Sequence, residues 1–108
     1  MARVIVTAPA DADTADILAK IFTEAGKITA AKFNSRFEGL YDRLTDHPDI
    51  GPLRPKLGPH IRIGLAPPYV VIYRHVEGED AVSIIRVLHG RRRLTRKLLG
   101  GDPPPERP

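Results

Sequence analysis

Two apolar runs constrain this chain more than any other feature. Tyr69-Val70-Val71-Ile72-Tyr73-Arg74-His75-Val76 and Ala81-Val82-Ser83-Ile84-Ile85-Arg86-Val87-Leu88 are separated only by the polar Glu77-Gly78-Glu79-Asp80. Both runs are rich in β-branched and aromatic residues, and a short polar stretch containing glycine between two such runs marks a β-hairpin. Centring the hairpin between Gly78 and Glu79 puts Tyr69, Val71, Tyr73, Val82, Ile84 and Leu88 on one side. Val70, Ile72, Ile85 and Val87 fall on the other, with Arg74 and Ser83. Both sides are apolar, so the hairpin requires cover on each.

The rest of the chain supplies cover for one side. Val4-Ile5-Val6 predicts a strand over residues 2–7, which Thr7-Ala8-Pro9 stops, because proline suits the first turn of a helix and is poor inside a sheet. Ile17, Leu18, Ile21, Phe22 and Ala25 recur at helical spacing, with Asp11, Asp13 and Asp16 near the positive end of the dipole, predicting a helix over 9–25 ended by Gly26. Phe33, Phe37, Leu40, Tyr41 and Leu44 form a second stripe that His47-Pro48 closes. The two helices read as an antiparallel hairpin.

Residues 48–59 hold four prolines and two glycines and read as a loop. Ile61, Ile63 and Leu65 then alternate with Arg62 and Gly64, a half-buried strand broken by Pro67-Pro68. A short helix is expected from Arg92 to Leu99. Residues 1–99 therefore form one domain, and the Pro-rich stretch 100–108 is expected to be disordered. The fold class is α+β in two layers, an antiparallel helix hairpin on a small, mainly antiparallel four-stranded sheet, in the order β-α-α-β-β-β-α. That arrangement leaves the second sheet face open, and an uncovered apolar face calls for a partner.

Composition narrows the function classes. With 108 residues there is room for a single core. There is no cysteine, which excludes disulfides and thiolate chemistry, and four scattered histidines point to no metal and no cofactor. No apolar run reaches the roughly 20 residues of a membrane span, so no membrane role is expected and the cytoplasm is the expected compartment. The net charge of +4 conceals an asymmetry: residues 1–49 carry six Lys/Arg against eight Asp/Glu, whereas 50–108 carry eleven against five. Between Arg86 and Gly101 there is no acid at all. A field polarised in this way favours an anionic partner, either nucleic acid or an acidic protein surface.

The strand Pro68-Tyr69-Val70-Val71-Ile72-Tyr73-Arg74 and its continuation Val82-Ser83-Ile84-Ile85-Arg86-Val87-Leu88-His89-Gly90-Arg91-Arg92 resemble the RelE/ParE superfamily of type II toxin–antitoxin toxins. The string Arg86-Val87-Leu88-His89-Gly90-Arg91 is similar to the ParE branch, and the resemblance takes in the helix hairpin and the loop Gly51-Pro52-Leu53-Arg54-Pro55, covering about residues 2–99. Arg93 departs from the pattern, since many relatives carry an aspartate there. The resemblance implies a protein that binds and poisons DNA gyrase, with contact to nucleic acid through the gyrase complex. It also implies a cognate antitoxin whose C-terminal segment covers the apolar sheet face at Val70, Ile72, Ile85 and Val87.

The RelE branch implies a different activity, ribosome-dependent cleavage of mRNA. Those toxins use a basic residue at the position of Val70 and a tyrosine in the C-terminal segment; here the first is valine, and no tyrosine follows Arg91. Arg92 matches a basic position, but an arginine does not deprotonate and so cannot serve as both acid and base. His89 is the residue that would carry proton transfer in a nuclease, with Arg92 beside it. Its alternative role is to end a strand and support the Gly90 turn. On the binding reading no residue is catalytic, and His89, Arg91, Arg92, Arg93, Arg96, Lys97 and Arg74 are the candidate target-binding residues. Arg86 is expected on the helix-facing side, paired with Glu38 or Asp42. A third reading is a non-toxic relic that only binds its antitoxin.

Overall fold

Thr7 sets the corner between the first strand and the first helix. Its side chain accepts a hydrogen bond from the Ala10 N–H at 3.4 Å, while its hydroxyl donates to the Ile84 carbonyl at 2.7 Å. One residue thus caps a helix and ties it to the sheet. In the computed structural model, which describes residues 1–99, β1 (Arg3–Val6) leads into α1 (Ala8–Ala25) and α2 (Lys27–Asp46). β2 (Ile61–Ala66), β3 (Tyr69–Val76) and β4 (Ala81–His89) follow, with 3-10 turns at Pro55–Leu57, Glu77–Glu79 and Arg96–Leu99. The sheet order is β1-β4-β3-β2, antiparallel except where β1 runs parallel to β4. This is the α+β arrangement the sequence predicts, with one difference. The C-terminal helix expected from Arg92 is only the short turn Arg96–Leu99. The expected disordered tail, 100–108, lies outside the described residues.

Gly26 joins the helices at φ 90, a left-handed conformation that favours glycine, and it serves at once as the end of α1 and the start of α2. The hairpin packs on one sheet face, where Phe37, Leu40 and Leu44 meet Val71, Tyr73, Val82, Ile84 and Val87, all at most 3% exposed. Tyr73 buries its ring there, and its hydroxyl accepts the Gly51 N–H at 3.0 Å. Gly51 is required by this approach: a Cβ at that position would stand 2.2 Å from the Ile63 carbonyl oxygen.

The β3–β4 register explains where the face assignments from sequence fail. Val76↔Ala81 through Tyr73↔Ile84 pair as centring on Gly78 and Glu79 predicts. A bulge then intervenes, and Ile72 pairs with Arg86, Val71 with Val87 and Val70 with Leu88. One extra residue turns every later side chain to the opposite face. Val87, expected on the open face, lies in the helix-side core at 1% exposure. Leu88, expected among the helix-facing residues, joins the other core, and Arg86 leaves the helix-facing side.

The second sheet face is covered as well, contrary to expectation. Ile61, Ile63, Ile72 and Leu88 form a core there with Leu57 from the Pro55–Leu57 turn. Leu94, Leu98 and Leu99 of the C-terminal segment pack against it. The leucine spacing of the tail and the proline-rich loop bring short irregular pieces across the sheet, and their apolar side chains do what a third helix layer would do.

Candidate functional site

The cationic end is built on the last residues of β4. Gly90 donates its N–H to the Pro68 carbonyl at 2.8 Å, and Arg92 donates to the His89 carbonyl at 2.9 Å, which turns the chain sharply after the strand. The Arg91 N–H donates to His89 Nδ1 at 3.0 Å. That bond makes Nδ1 an acceptor, places the ring proton on Nε2 in the neutral imidazole, and commits the ring to the turn. The ring also stands edge-on to Tyr69, with centroids 5.6 Å apart, and Tyr69 in turn meets Phe33 and Phe37. Arg91, Arg92 and Arg93 are exposed, as are Arg96 and Lys97 in the final turn. His89 and Arg92 border a shallow cleft of about 290 Å³ with Asp16, Lys20 and Tyr69. Of the sequence-predicted target-binding residues, His89 and Arg92 share this cleft, with Arg91 and Arg93 exposed beside them, while Arg96 borders a different groove. Arg74 is exposed on β3, away from His89 and Arg92.

Arg86 organises the inner side of this end. Its Nε and Nη2 donate to the two carboxylate oxygens of Asp13 at 2.6 and 2.8 Å, and Nη1 donates to the Leu98 carbonyl. Asp13 Oδ2 also accepts the Val87 N–H at 3.0 Å. β1 pairs only with Ala81–Ile84, so the Asp13 carboxylate takes over as acceptor where the strand partner has ended. The expected partners Glu38 and Asp42 lie on α2, whereas Arg86 pairs with Asp13 of α1, where β4 continues past the end of β1. The hydrogen bonds to Asp13 outweigh burial and hold the guanidinium pKa above its ordinary value, so the charge is permanent.

The residues expected to take the antitoxin divide into two pairs. Ile72 and Val87 are buried within the chain's own cores, at 0% and 1% exposure. Val70 and Ile85 remain half-buried at the margin. Beside Ile85 a groove of about 560 Å³ runs between the sheet, the Leu57–Ile61 segment and the final turn, with Arg74, Ser83 and Arg96 on its walls. Arg74 joins Arg96 there, a meeting that the linear sequence does not reveal.

Comparison with known proteins settles the family. The profile described as the ParE toxin of type II toxin-antitoxin system, parDE, matches residues 4–94. The chain belongs to the ParE toxin family. It is 36% identical over 99 residues to Toxin ParE3 of Caulobacter vibrioides, an alignment covering 91% of this chain and 96% of that relative. A chain of a chromosomal ParDE TA system from P. aeruginosa shares the fold, with a TM-score of 0.69, 23% identity, and coverage of 82% of this chain and 96% of that one.

This ParE-family chain also exposes apolar side chains where the sequence predicted core. Phe22, read as part of the apolar stripe of α1, is 56% exposed; Ile28, outside the stripe read on α2, is 80% exposed. The turns of the helix hairpin on either side of Gly26 are exposed, so the apolar stripe has no cover there. Lys27, Lys32 and Arg36 flank Ile28. Helical periodicity identifies a stripe but not the point at which its support ends. Among the described residues no helix is long and apolar enough to cross a membrane.

Proposed function

We propose that this toxin acts in the cytoplasm by binding DNA gyrase through its cationic end, and that a cognate antitoxin neutralises it. The observation that carries the reading is the His89 ring, whose Nδ1 is occupied by the Arg91 N–H while the surrounding side chains are permanently charged arginines. Such an end holds an anionic macromolecular surface well and moves protons poorly. Family membership supports the antitoxin partner. Its docking place is the groove beside Ile85, where an acidic segment with apolar anchors would meet Arg74 and Arg96. Opposite charge would speed association, and apolar burial would lengthen residence.

Purified chain in a gyrase supercoiling assay, run beside a translation assay scored for mRNA cleavage, tests the reading. Supercoiling should stop while mRNA stays intact, and substituting Arg91, Arg92 and Arg93 together by Glu should abolish the effect. Cleaved mRNA that disappears with His89→Ala would replace this reading by the nuclease one. Silence in both assays, with antitoxin binding retained, would identify a relic.

A further inference from the structure

At the opposite end of the sheet from the arginines, the fold gathers a second set of chemistry-bearing side chains. One ring nitrogen of His75 and one carboxylate oxygen each from Asp49 and Glu77 lie within 4.8 Å of one another. They come from the loop after α2, the end of β3 and the turn that follows. His75 Nδ1 and Asp49 Oδ1 are 2.9 Å apart. Two donors sharing a tetrahedral ion through bonds near 2.0 Å stand roughly 3.3 Å apart, so this pair is already close to a ligating separation.

The second ring nitrogen gives an independent argument. His75 Nε2 is buried and has no hydrogen-bond partner, and the Asp80 carboxylate stands 3.9 Å from it. In a neutral ring that donates Nδ1–H to Asp49, Nε2 is a bare lone pair turned toward a carboxylate, an unfavourable arrangement for a buried polar atom. A cation on Nδ1 reverses this. It displaces the ring proton to Nε2, where Asp80 can accept it, which is the outer carboxylate that metal-bound histidines ordinarily have. A cleft of about 580 Å³ bordered by His60, His75, Glu77 and Glu79 leaves space for water to complete the coordination.

We propose that Asp49, His75 and Glu77 bind one divalent transition-metal ion of the zinc class, with Asp80 orienting the histidine. One imidazole with two carboxylates suits such an ion better than magnesium, which favours all-oxygen octahedral sites. Arg62 opposes the metal, because its Nε lies 3.4 Å from Asp49 Oδ1. Its Nη1, however, donates to the carbonyls of Asp49 and Gly51 at 3.0 and 2.7 Å, so the guanidinium stays anchored on the backbone when the carboxylate turns to an ion. The bound ion would fasten the loop after α2 to the β3–β4 turn, which also holds β1 through the Arg3 N–H to Asp80 carbonyl bond at 2.9 Å.

Calorimetric titration of the full chain with zinc chloride and with magnesium chloride at about pH 7.5 tests the site. One equivalent of zinc should bind and magnesium should not. Zinc at about five times its dissociation constant should raise the melting temperature by about 4–8 °C. His75→Gln should abolish the binding. Glu77→Gln, at an exposed position that does not threaten folding, should weaken it at least tenfold, and Asp80→Asn about 10–100-fold. Absence of a zinc signal from the folded chain would overturn the proposal. So would undiminished binding to both His75→Gln and Glu77→Gln, which would assign the uptake to other histidines.

Discussion

The two faces of one sheet are buried by different means. On one face, α2 lays Phe37, Leu40 and Leu44 and α1 lays Ala10, Ile17 and Leu18 against the sheet, and eleven residues form a continuous buried cluster. On the other, a buried cluster of five is finished by Leu94, Leu98 and Leu99, carried on a segment with no helix longer than the Arg96–Leu99 turn. The helix-backed face is held by regular elements whose backbone bonds are internally satisfied. The other is closed by short irregular pieces held by apolar contacts and a few hydrogen bonds, such as Arg54 N–H to the Ile61 carbonyl and Arg86 to the Leu98 carbonyl. The first is therefore expected to carry the stability of the domain, while the second can loosen locally without unfolding it.

The sharpest way to break this contrast is to remove an anchor from each face. Phe37→Ala is expected to cost about 3–5 kcal/mol, read as a fall in the urea midpoint, because it opens a cavity in a fully buried site. Asp13→Ala should come next, at about 3 kcal/mol, since it strands the Arg86 guanidinium and leaves the Val87 N–H without its acceptor. Leu98→Ala, at a half-buried position, should cost only about 1 kcal/mol and should raise amide exchange around Leu88 and Ile72 more than around Val71. Equal losses for Phe37→Ala and Leu98→Ala would erase the difference between the faces.

A smaller effect separates the faces by pH. Burial raises the phenol pKa of Tyr73, and of Tyr41 on α2, above the ordinary value of 10.0. The neutral phenols contribute stability that is complete below about pH 10 and is lost as the pH climbs through the raised folded values. Thermal denaturation against pH should show this alkaline decline, and Tyr73→Phe should flatten part of it, although that variant also deprives the Gly51 N–H of its acceptor.

Most of the strand and helix order was legible because it rests on local rules. Thr7 before Pro9, Gly26 between two apolar stripes, and alternation at Ile61, Ile63 and Leu65 each act within a few residues. The first half of the β3–β4 register was legible for the same reason. The bulge was not, because no residue between Ile84 and Arg86 has the glycine or proline that would announce it, and its consequences fell on Arg86, Val87 and Leu88. The site followed the same division. Residues 89–93 are neighbours in the chain, so their clustering could be read directly. Arg74 beside Arg96, or Asp49 beside His75, could not.

The sequence by itself determined a helix hairpin on a four-stranded sheet and a cationic C-terminal end, since periodicity, capping and charge runs are properties of adjacent residues, and the string Arg86-Val87-Leu88-His89-Gly90-Arg91 carried the resemblance to a toxin family. Only the tertiary structure decided which faces Arg86, Val87 and Leu88 occupy, that the leucines of the tail close the second face, and that Phe22 and Ile28 are left exposed. Those outcomes depend on one bulged residue and on where cover for the helix stripe ends, and both are set by packing between segments distant along the chain.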